Sequence, residues 1–401
     1  MTTHQLLGQL SRLHQMMVQL LESVPEEDCY RAFAPKVPPL AWLLGRSAYA
    51  ETYWLRERLA GDDSMTARVR PFFAADVEPE ENLWRQLPPR DHLLNWALEL
   101  QDDNLTRLAN PAQLPADPLV EDDRLLLLIV QDHARLYELM LAQLTARQVE
   151  IAPDYRVEAP LIVLAPSTDH ADVHRGHYRV GARDDPAARD NELPAQAVQL
   201  DAFRIDRAPV TNGGYLGFMQ AGGYREKAFW SEAGWAWSQA NTPHPFHWRQ
   251  DKSGAWYGIG VNGPADLIAE DPVSGLNHYE AEAYARWVAA QGGPLEGAVL
   301  QHEYQWEVAT RNRAISGFGR AWEWCANEFQ AYTGYQAPDD PEAATRALDA
   351  GHYTLRGGCL HTQPVLRRAS YRHHALPGQR VHFSGLRLVF PGSDMPWHTS
   401  H

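Results

Sequence analysis

The sequence changes its pattern near residue 150, and this change limits the folds that are open to the chain. Before it, apolar residues recur at three- and four-residue spacing, as in LLGQLSRLHQMMVQLLESV and RLLLLIVQDHARLYELMLAQL. That spacing predicts amphipathic helices. After it, glycine and tryptophan separate short apolar runs such as LIVLAP, FRIDRAPV and GLRLVF, which predicts a loop-rich α+β domain. We therefore predict two domains, residues 1–150 and 151–401.

Four helices are expected to account for residues 1–150. They are predicted in LLGQLSRLHQMMVQLLESV, PLAWLLGRSAYAETYWLRERL, DHLLNWALELQDDNLTRLAN and RLLLLIVQDHARLYELMLAQL. Short or proline-marked connections favour an antiparallel bundle, whose core is a common place for a metal or ligand site. In the second domain only two helices are clear, in NHYEAEAYARWVAAQ and HEYQWEVATRN.

Charge and cysteine content exclude several classes of partner and site. The 36 Lys and Arg residues against 51 Asp and Glu residues give a net charge of −15, which argues against nucleic acid or an anionic membrane as the partner. The three cysteines, Cys29, Cys325 and Cys359, lie far apart, so neither a disulfide framework nor a zinc knuckle is expected. No signal peptide and no apolar run of membrane-spanning length is visible. These features predict a soluble, cytoplasmic chain.

Both halves of the sequence resemble known families. The segments EDPVSGLNHYEAEAYARWV, RAWEWCANEF and LRGGCLHTQPVLRRASYR resemble the formylglycine-generating-enzyme (sulfatase-modifying-factor) domain, whose fold is related to C-type lectins. PLAWLLGRSAYAETYWLRERLAGDD resembles a DinB-type four-helix bundle. The pair, in this order, resembles the sulfoxide synthases of ergothioneine biosynthesis. The resemblance implies an iron(II)-dependent oxidoreductase that uses oxygen to join a thiol sulfur to the imidazole of a histidine betaine.

The resemblance assigns three histidine ligands of that iron to the bundle. One ligand position falls at Arg46, and an H-x-x-x-H pair falls at Asp132 and Leu136. A guanidinium has no lone pair to offer and a leucine has no donor atom, so the aspartate alone remains. An oxygen-activating iron site usually needs three protein ligands. We therefore predict no metal at these positions, and iron(II) is implied by the family only.

The same substitutions predict a contact inside the bundle. An ionised, unpaired Asp132 in the core would cost several kcal/mol. Arg46 stands at another ligand position, so we expect the two side chains to form a direct or water-bridged ion pair. Leu136 is expected to fill the space of the third imidazole.

Further cleft residues follow from the resemblance. The loops AYTGYQA and YRHHALPGQR are expected to face the former iron position across a domain interface. Tyr332 or Tyr335, at most one of the two, is a candidate for a catalytic proton donor. Arg372, His373 and His374 are candidates for contact with an anionic ligand.

Two hypotheses of different function class remain open, and the sequence does not decide whether the chain is an enzyme. In the first, the chain is a pseudoenzyme, a non-catalytic relative that keeps the interdomain cleft and binds a small molecule or a partner protein. In the second, it is an enzyme of the same family with a displaced or atypical metal site that uses His133, Glu51 or Glu138. The substituted ligand positions favour the first.

Overall fold

The N-terminal part of the chain is an assembly of helices. The structure, a computed structural model, describes residues 2–152 and 154–393. The helices of this part are α1 (Thr3–Glu22), α2 (Glu26–Cys29), α3 (Leu40–Thr52), α4 (Arg70–Phe73), α5 (Glu81–Trp84), α6 (Arg90–Leu108) and α7 (Arg124–Ile151). The four long helices lie in the four predicted segments; α1 and α3 contact each other, and each of them contacts α6 and α7. That this assembly is of the DinB type stays a prediction.

Local sequence explains where three of these helices begin. The Thr2 hydroxyl accepts a hydrogen bond from the Gln5 backbone N–H, and the Gln5 side chain accepts one from the Thr2 N–H. This reciprocal capping box satisfies two free donors at the start of α1. Pro39 and Pro89 stand immediately before α3 and α6, where the missing N–H of proline removes no helical hydrogen bond.

The apolar face of α1 lies at the centre of the helical assembly. Its fully buried apolar side chains, each at most 1 % exposed, are Leu6, Leu10, Leu13, Met17 and Leu21. The three- and four-residue spacing places them on one face of the helix. Burying each of them contributes about 1.5–3 kcal/mol, so this stripe fixes the rotation of α1 against its neighbours.

Helix α7 connects the two parts of the molecule. It has 28 residues and contacts α1 and α3 on one side and the turn Pro364–Leu366 on the other. Among the residues that the structure describes, no helix has both the length and the apolar character that a bilayer crossing requires. The described residues between Ile151 and His170 form neither helix nor strand. The division into domains 1–150 and 151–401 stays a prediction.

The C-terminal part is built from short strands and loops. Its described strands are β1 (His170–Val173), β2 (Gly176–Val180), β3 (Gln196–Leu200), β4 (Phe203–Asp206), β5 (Trp248–Gln250), β6 (Trp256–Gly260), β7 (Gly263–Asp266), β8 (Val299–Leu300), β9 (Trp322–Glu328), β10 (Tyr353–Arg356), β11 (His373–Ala375), β12 (Ser384–Leu386) and β13 (Leu388–Pro391). One sheet has the order β1-β4-β13-β8 and another the order β11-β10-β9-β12, with β2-β3 and β5-β6-β7 as smaller sheets. Of the strands within residues 154–393, only β12 and β9 pair in parallel. The predicted mixture of helix and sheet is confirmed.

The C-terminal part contains more helices than the two predicted. Its helices are α8 (Asn212–Gln220), α9 (Glu232–Ala240), α10 (His278–Ala289) and α11 (Glu303–Arg311). The two predicted segments form α10 and α11, so the expectation of only two helices was wrong. Hydroxyls of Thr211 and Ser231 cap α8 and α9 by accepting from the N–H groups of Gly214 and Gly234. These caps, together with burial in the fold, outweigh the low helix propensity of glycine.

A buried carboxylate joins α7 to the C-terminal part. Glu138 accepts a hydrogen bond from the Trp322 indole N–H at 2.5 Å and another from the Thr362 hydroxyl at 2.6 Å. Burial raises the pKa of Glu138, because its charged form loses water. Both donors belong to the C-terminal part, so Glu138 fixes α7 against it.

Replacement of Glu138 should separate the loss of these hydrogen bonds from the loss of charge. Glu138→Ala leaves the indole and hydroxyl donors buried without an acceptor, and we expect the free energy of unfolding to fall by roughly 2–4 kcal/mol. Glu138→Gln keeps an acceptor and should cost less than half as much. Chemical denaturation at pH 7 measures both variants. An equal loss in the two would contradict the role of the hydrogen bonds.

Candidate functional site

A cleft of about 300 Å³ opens between the helical assembly and the C-terminal part. Helices α3 and α7 form one wall through Arg46, Asp132 and Arg135. The remaining walls come from residues within the segments 74–79, 189–191, 341–347 and 366–374. Five of the six predicted cleft residues line it: Arg46, Asp132, Arg372, His373 and His374. Residues of α3, of α7 and of the loop YRHHALPGQR thus line one cleft, whereas the loop AYTGYQA does not contribute to it.

Arg46 reaches from α3 into an ion pair with the C-terminal part. Its Nη2 atom donates to Glu342 Oε2 at 2.5 Å. The other carboxylate oxygen of Glu342 accepts a hydrogen bond from the Ala75 backbone N–H at 2.8 Å. The two charged side chains are 12 % and 5 % exposed, so each would be costly to bury without the other.

Asp132 is paired with a different residue. Arg189 donates from Nη1 to Asp132 Oδ1 at 3.0 Å, and both side chains are largely buried. The expected direct ion pair between Arg46 and Asp132 is therefore wrong. The physical reason is that loops of the C-terminal part supply a separate counter-charge to each of them, Glu342 to the arginine and Arg189 to the aspartate.

Three positions correspond to the expected iron ligands, namely Arg46, Asp132 and Leu136. Their side chains do not provide a donor set for iron. The Arg46 guanidinium has no lone pair and is held by a carboxylate. Asp132 is the one donor among the three, and it already accepts from an arginine. Leu136 is buried but is not part of the cleft lining, and its occupation of the third imidazole position stays a prediction. An iron site of the expected type needs three ligands with open coordination positions.

Arg372 is held in place by internal partners. Its Nε and Nη2 atoms each donate to the Glu303 carboxylate at 2.8 Å, and Nη1 donates to the Asn191 carbonyl at 2.7 Å. The side chain is almost fully buried. The sequence placed Arg372 among the contacts of an anionic ligand, but its guanidinium is largely committed to the fold.

His373 and His374 are the first two residues of β11, directly after Arg372. Both imidazoles are neutral. Burial lowers the pKa of both imidazoles well below the usual value, since the charged form would lose water there. His373 Nε2 lies 3.4 Å from His382 Nδ1. The two side chains therefore give the cleft neutral hydrogen-bonding groups and no positive charge.

The two tyrosines lie away from the cleft lining. Tyr332 is buried with its ring under the Arg372 guanidinium, 4.1 Å from the ring centroid. Tyr335 donates its hydroxyl to Asp190 Oδ2 at 2.7 Å. Neither residue lines the cleft. A catalytic role for one of them stays a prediction.

Sequence reasoning missed five charged residues of the cleft, namely Glu78, Arg135, Arg189, Glu342 and Arg346. One of them was within reach of a sequence argument. Arg135 is three residues after Asp132 on α7, and residues at that spacing share a helix face. The other four lie outside helices and strands, in loops whose position relative to the helices has no local sequence signal.

Comparison with known proteins identifies the relatives of the chain. Residues 165–318 match the family described as the sulfatase-modifying factor enzyme 1-like domain. The hercynine oxygenase of Mycobacterium tuberculosis is 31% identical over 249 residues, which cover 53% of this chain and 58% of that protein. The hercynine oxygenase of Mycolicibacterium smegmatis is 26% identical over 438 aligned residues, which cover 96% of this chain and 98% of that protein. The chain is therefore similar in sequence to the hercynine oxygenases over almost its whole length.

These relatives confirm the predicted resemblance to the sulfoxide synthases of the ergothioneine pathway. The match to the sulfatase-modifying factor domain, at residues 165–318, lies in the C-terminal part of the chain. The alignment with the Mycobacterium tuberculosis protein spans 58% of the length of that protein. Among solved structures, PvdO from Pseudomonas aeruginosa covers 58% of this chain and 99% of its own, with 16% identity and a TM-score of 0.40.

A double-mutant cycle tests the assignment of partners in the cleft. Arg46→Ala leaves Glu342 buried without its counter-charge, so the free energy of unfolding should fall by about 3 kcal/mol. A cycle that combines Arg46→Ala with Glu342→Ala should give a coupling of about 1 kcal/mol or more. A second cycle, which combines Arg46→Ala with Asp132→Ala, should give a coupling near zero. The reverse order of the two couplings would restore the Arg46–Asp132 pair.

Stability should decrease when the pH falls below 6.5. Burial lowers the pKa of His278 and His382 to about 4 in the folded chain. The unfolded imidazoles titrate near pH 6.5, so the unfolded state binds more protons between these two values. The contribution is therefore fully present above pH 6.5 and is lost as the pH falls toward 4. Each histidine should add a slope of up to about 1.4 kcal/mol per pH unit.

Urea denaturation between pH 7 and pH 5 measures this slope. His382→Gln removes one histidine with a lowered pKa and should reduce the slope, whereas replacing the exposed His92 by glutamine should leave the slope unchanged. An identical slope in both variants and the parent would refute the assignment.

Proposed function

We propose that the chain is a non-catalytic relative of the hercynine oxygenases, without their iron site, whose cleft binds a small molecule that carries a carboxylate. The observation that carries the proposal is the pair of substitutions at the expected ligand positions. Arg46 and Asp132 each form an ion pair with the C-terminal part, to Glu342 and Arg189. A guanidinium in the place of an imidazole repels a metal cation and attracts an anion.

The charge of the lining supports a ligand with an anionic group. Arginines outnumber carboxylates in the cleft of a chain whose net charge is −15. The five arginines are Arg46, Arg135, Arg189, Arg346 and Arg372, and the three carboxylates are Glu78, Asp132 and Glu342. Arg135 is exposed, and within residues 2–152 and 154–393 it has no ion pair or hydrogen bond. Its guanidinium is thus available to bind a carboxylate bidentately.

The size and the aromatic residues of the cleft narrow the ligand class. A volume of about 300 Å³ is at the lower end of the range for small-molecule sites. Trp42 and Tyr371 line the same cleft and offer aromatic faces that attract a quaternary ammonium group. The relatives are named for hercynine, a histidine betaine with one carboxylate and one trimethylammonium group. Hercynine is therefore the first probe, with Arg135 as the proposed partner of its carboxylate.

Oxidative catalysis at a displaced metal is the second candidate function. It is favoured by one observation, the convergence of Glu51 and His133 with His14 in the helical core. These three residues are not part of the cleft lining, so a substrate in the cleft would not contact them. For this reason we prefer binding without catalysis. A cytoplasmic location remains part of the proposal and is supported by the three cysteines, which are free and buried.

Calorimetric titration with hercynine, histidine and inorganic phosphate tests the proposed function. We expect Arg135→Ala to weaken hercynine binding roughly tenfold or more, the effect of losing one charge-assisted hydrogen bond. The matched control is Arg12→Ala, which removes an exposed arginine of α1 and should bind like the parent.

Three results would overturn the proposal. The first is that none of the three probes binds at millimolar concentration. The second is equal affinity of the Arg135→Ala variant and the parent. The third is oxygen consumption by the iron-supplied chain in the presence of hercynine and a thiol, which would favour the second candidate.

A further inference from the structure

A second polar cluster lies inside the helical assembly, away from the cleft. Helices α1, α3 and α7 contribute His14, Glu51 and His133, which are 4%, 0% and 0% exposed. One ligand atom from each lies within 4.8 Å of the others, and in the described part of the chain this is the one group of three such residues. The sequence hypothesis of a displaced site named Glu51 and His133 but missed His14, which stands beside the apolar stripe of α1.

The hydrogen bonds of His133 show which of its ring nitrogens faces the cluster. Nδ1 lies 2.9 Å from the Ile129 carbonyl oxygen. A carbonyl only accepts, so Nδ1 carries the hydrogen. In the neutral ring, Nε2 then presents a lone pair, and it lies 3.3 Å from Glu51 Oε2. Two acceptors face each other there unless a proton or a metal cation lies between them.

The contacts of His14 and Glu51 are also compatible with a cation in the cluster. His14 Nε2 lies 2.9 Å from Glu51 Oε2. His14 Nδ1, Glu51 Oε1 and His133 Nε2 are buried without a hydrogen-bond partner in the described chain. Buried polar atoms of this kind are normally satisfied, by protein, water or an ion. Three such atoms in one cluster indicate that they are satisfied by something other than the protein, namely water or an ion.

We propose that His14, Glu51 and His133 bind a divalent first-row transition-metal ion of the zinc and cobalt class. Two imidazoles and one carboxylate suit such an ion, and bonds of 2.0–2.1 Å in a tetrahedral arrangement separate ligand atoms by roughly 3.3 Å. The distance of 3.3 Å between His133 and Glu51 already has this value, and the 2.9 Å distance of His14 requires a shift of a few tenths of an ångström. The Ile129 carbonyl orients the His133 ring in the way that backbone carbonyls orient metal-bound histidines.

The position of the cluster assigns the ion a structural role. Its ligands come from three different helices, so the ion links α1, α3 and α7. Asp132, the neighbour of His133, faces the cleft instead, because successive residues of a helix differ by about 100° in direction. The site is therefore distinct from the ligand positions that the family uses for iron.

Metal analysis of the full chain tests this proposal. The chain is expressed in medium supplied with Zn²⁺ or Co²⁺, dialysed exhaustively, and assayed for bound metal. We expect one ion per chain in the parent, in His92→Gln and in Asp132→Asn, with the visible ligand-field bands of tetrahedral cobalt. His14→Gln and Glu51→Gln should retain less than a tenth of the metal. The metal-loaded parent should also melt at a higher temperature than the chelator-stripped parent.

A second measurement keeps the proposal testable if the core variants fail to fold. Zinc X-ray absorption of the parent should show two imidazole ligands and oxygen ligands. A parent that retains no metal, a first shell without imidazole, full retention by folded His14→Gln, or loss confined to Asp132→Asn would each overturn the assignment.

Discussion

The bidentate ion pair between Arg372 and Glu303 fixes one wall of the cleft. Both side chains are buried, and the guanidinium also donates to the carbonyls of Asn191 and Gln330. The C-terminal part has strands of two to seven residues, so backbone ladders alone connect few of its loops. Buried pairs of the same type, Arg356 with Glu307 and Arg387 with Glu323, join segments far apart in sequence. Such a pair adds little net stability, but removing one partner costs several kcal/mol.

The helices of the N-terminal part could be predicted because their signal is local. Three- and four-residue spacing and the prolines before α3 and α6 mark them directly. The helix α8 could not be predicted in this way, because NGGYLGFMQ contains three glycines and has a poor intrinsic propensity. Its stability comes from the Thr211 cap and from burial of Tyr215 and Phe218, and only the tertiary fold supplies that burial.

The candidate site shows the same division between local and distant information. The resemblance gave the positions Arg46 and Asp132, and the structure places both in the cleft. Their partners come from 296 and 57 residues further along the chain, in loops without periodicity. The sequence therefore predicted that two charges had to be neutralised, but it assigned them to each other. His14 was missed for a related reason: a buried histidine within an apolar helix has no signal until its neighbours on other helices are known.

Helix α7 presents three environments within two turns: the cleft at Asp132, the core cluster at His133 and the C-terminal contact at Glu138. Each environment is reached by one side chain, whose direction is set by the position of its residue around the helix axis. A single inserted or deleted residue between His133 and Glu138 would rotate the two halves of the helix by about 100° relative to each other. The contacts on one side of the change would then be lost. This stretch of α7 should therefore tolerate substitutions better than insertions or deletions.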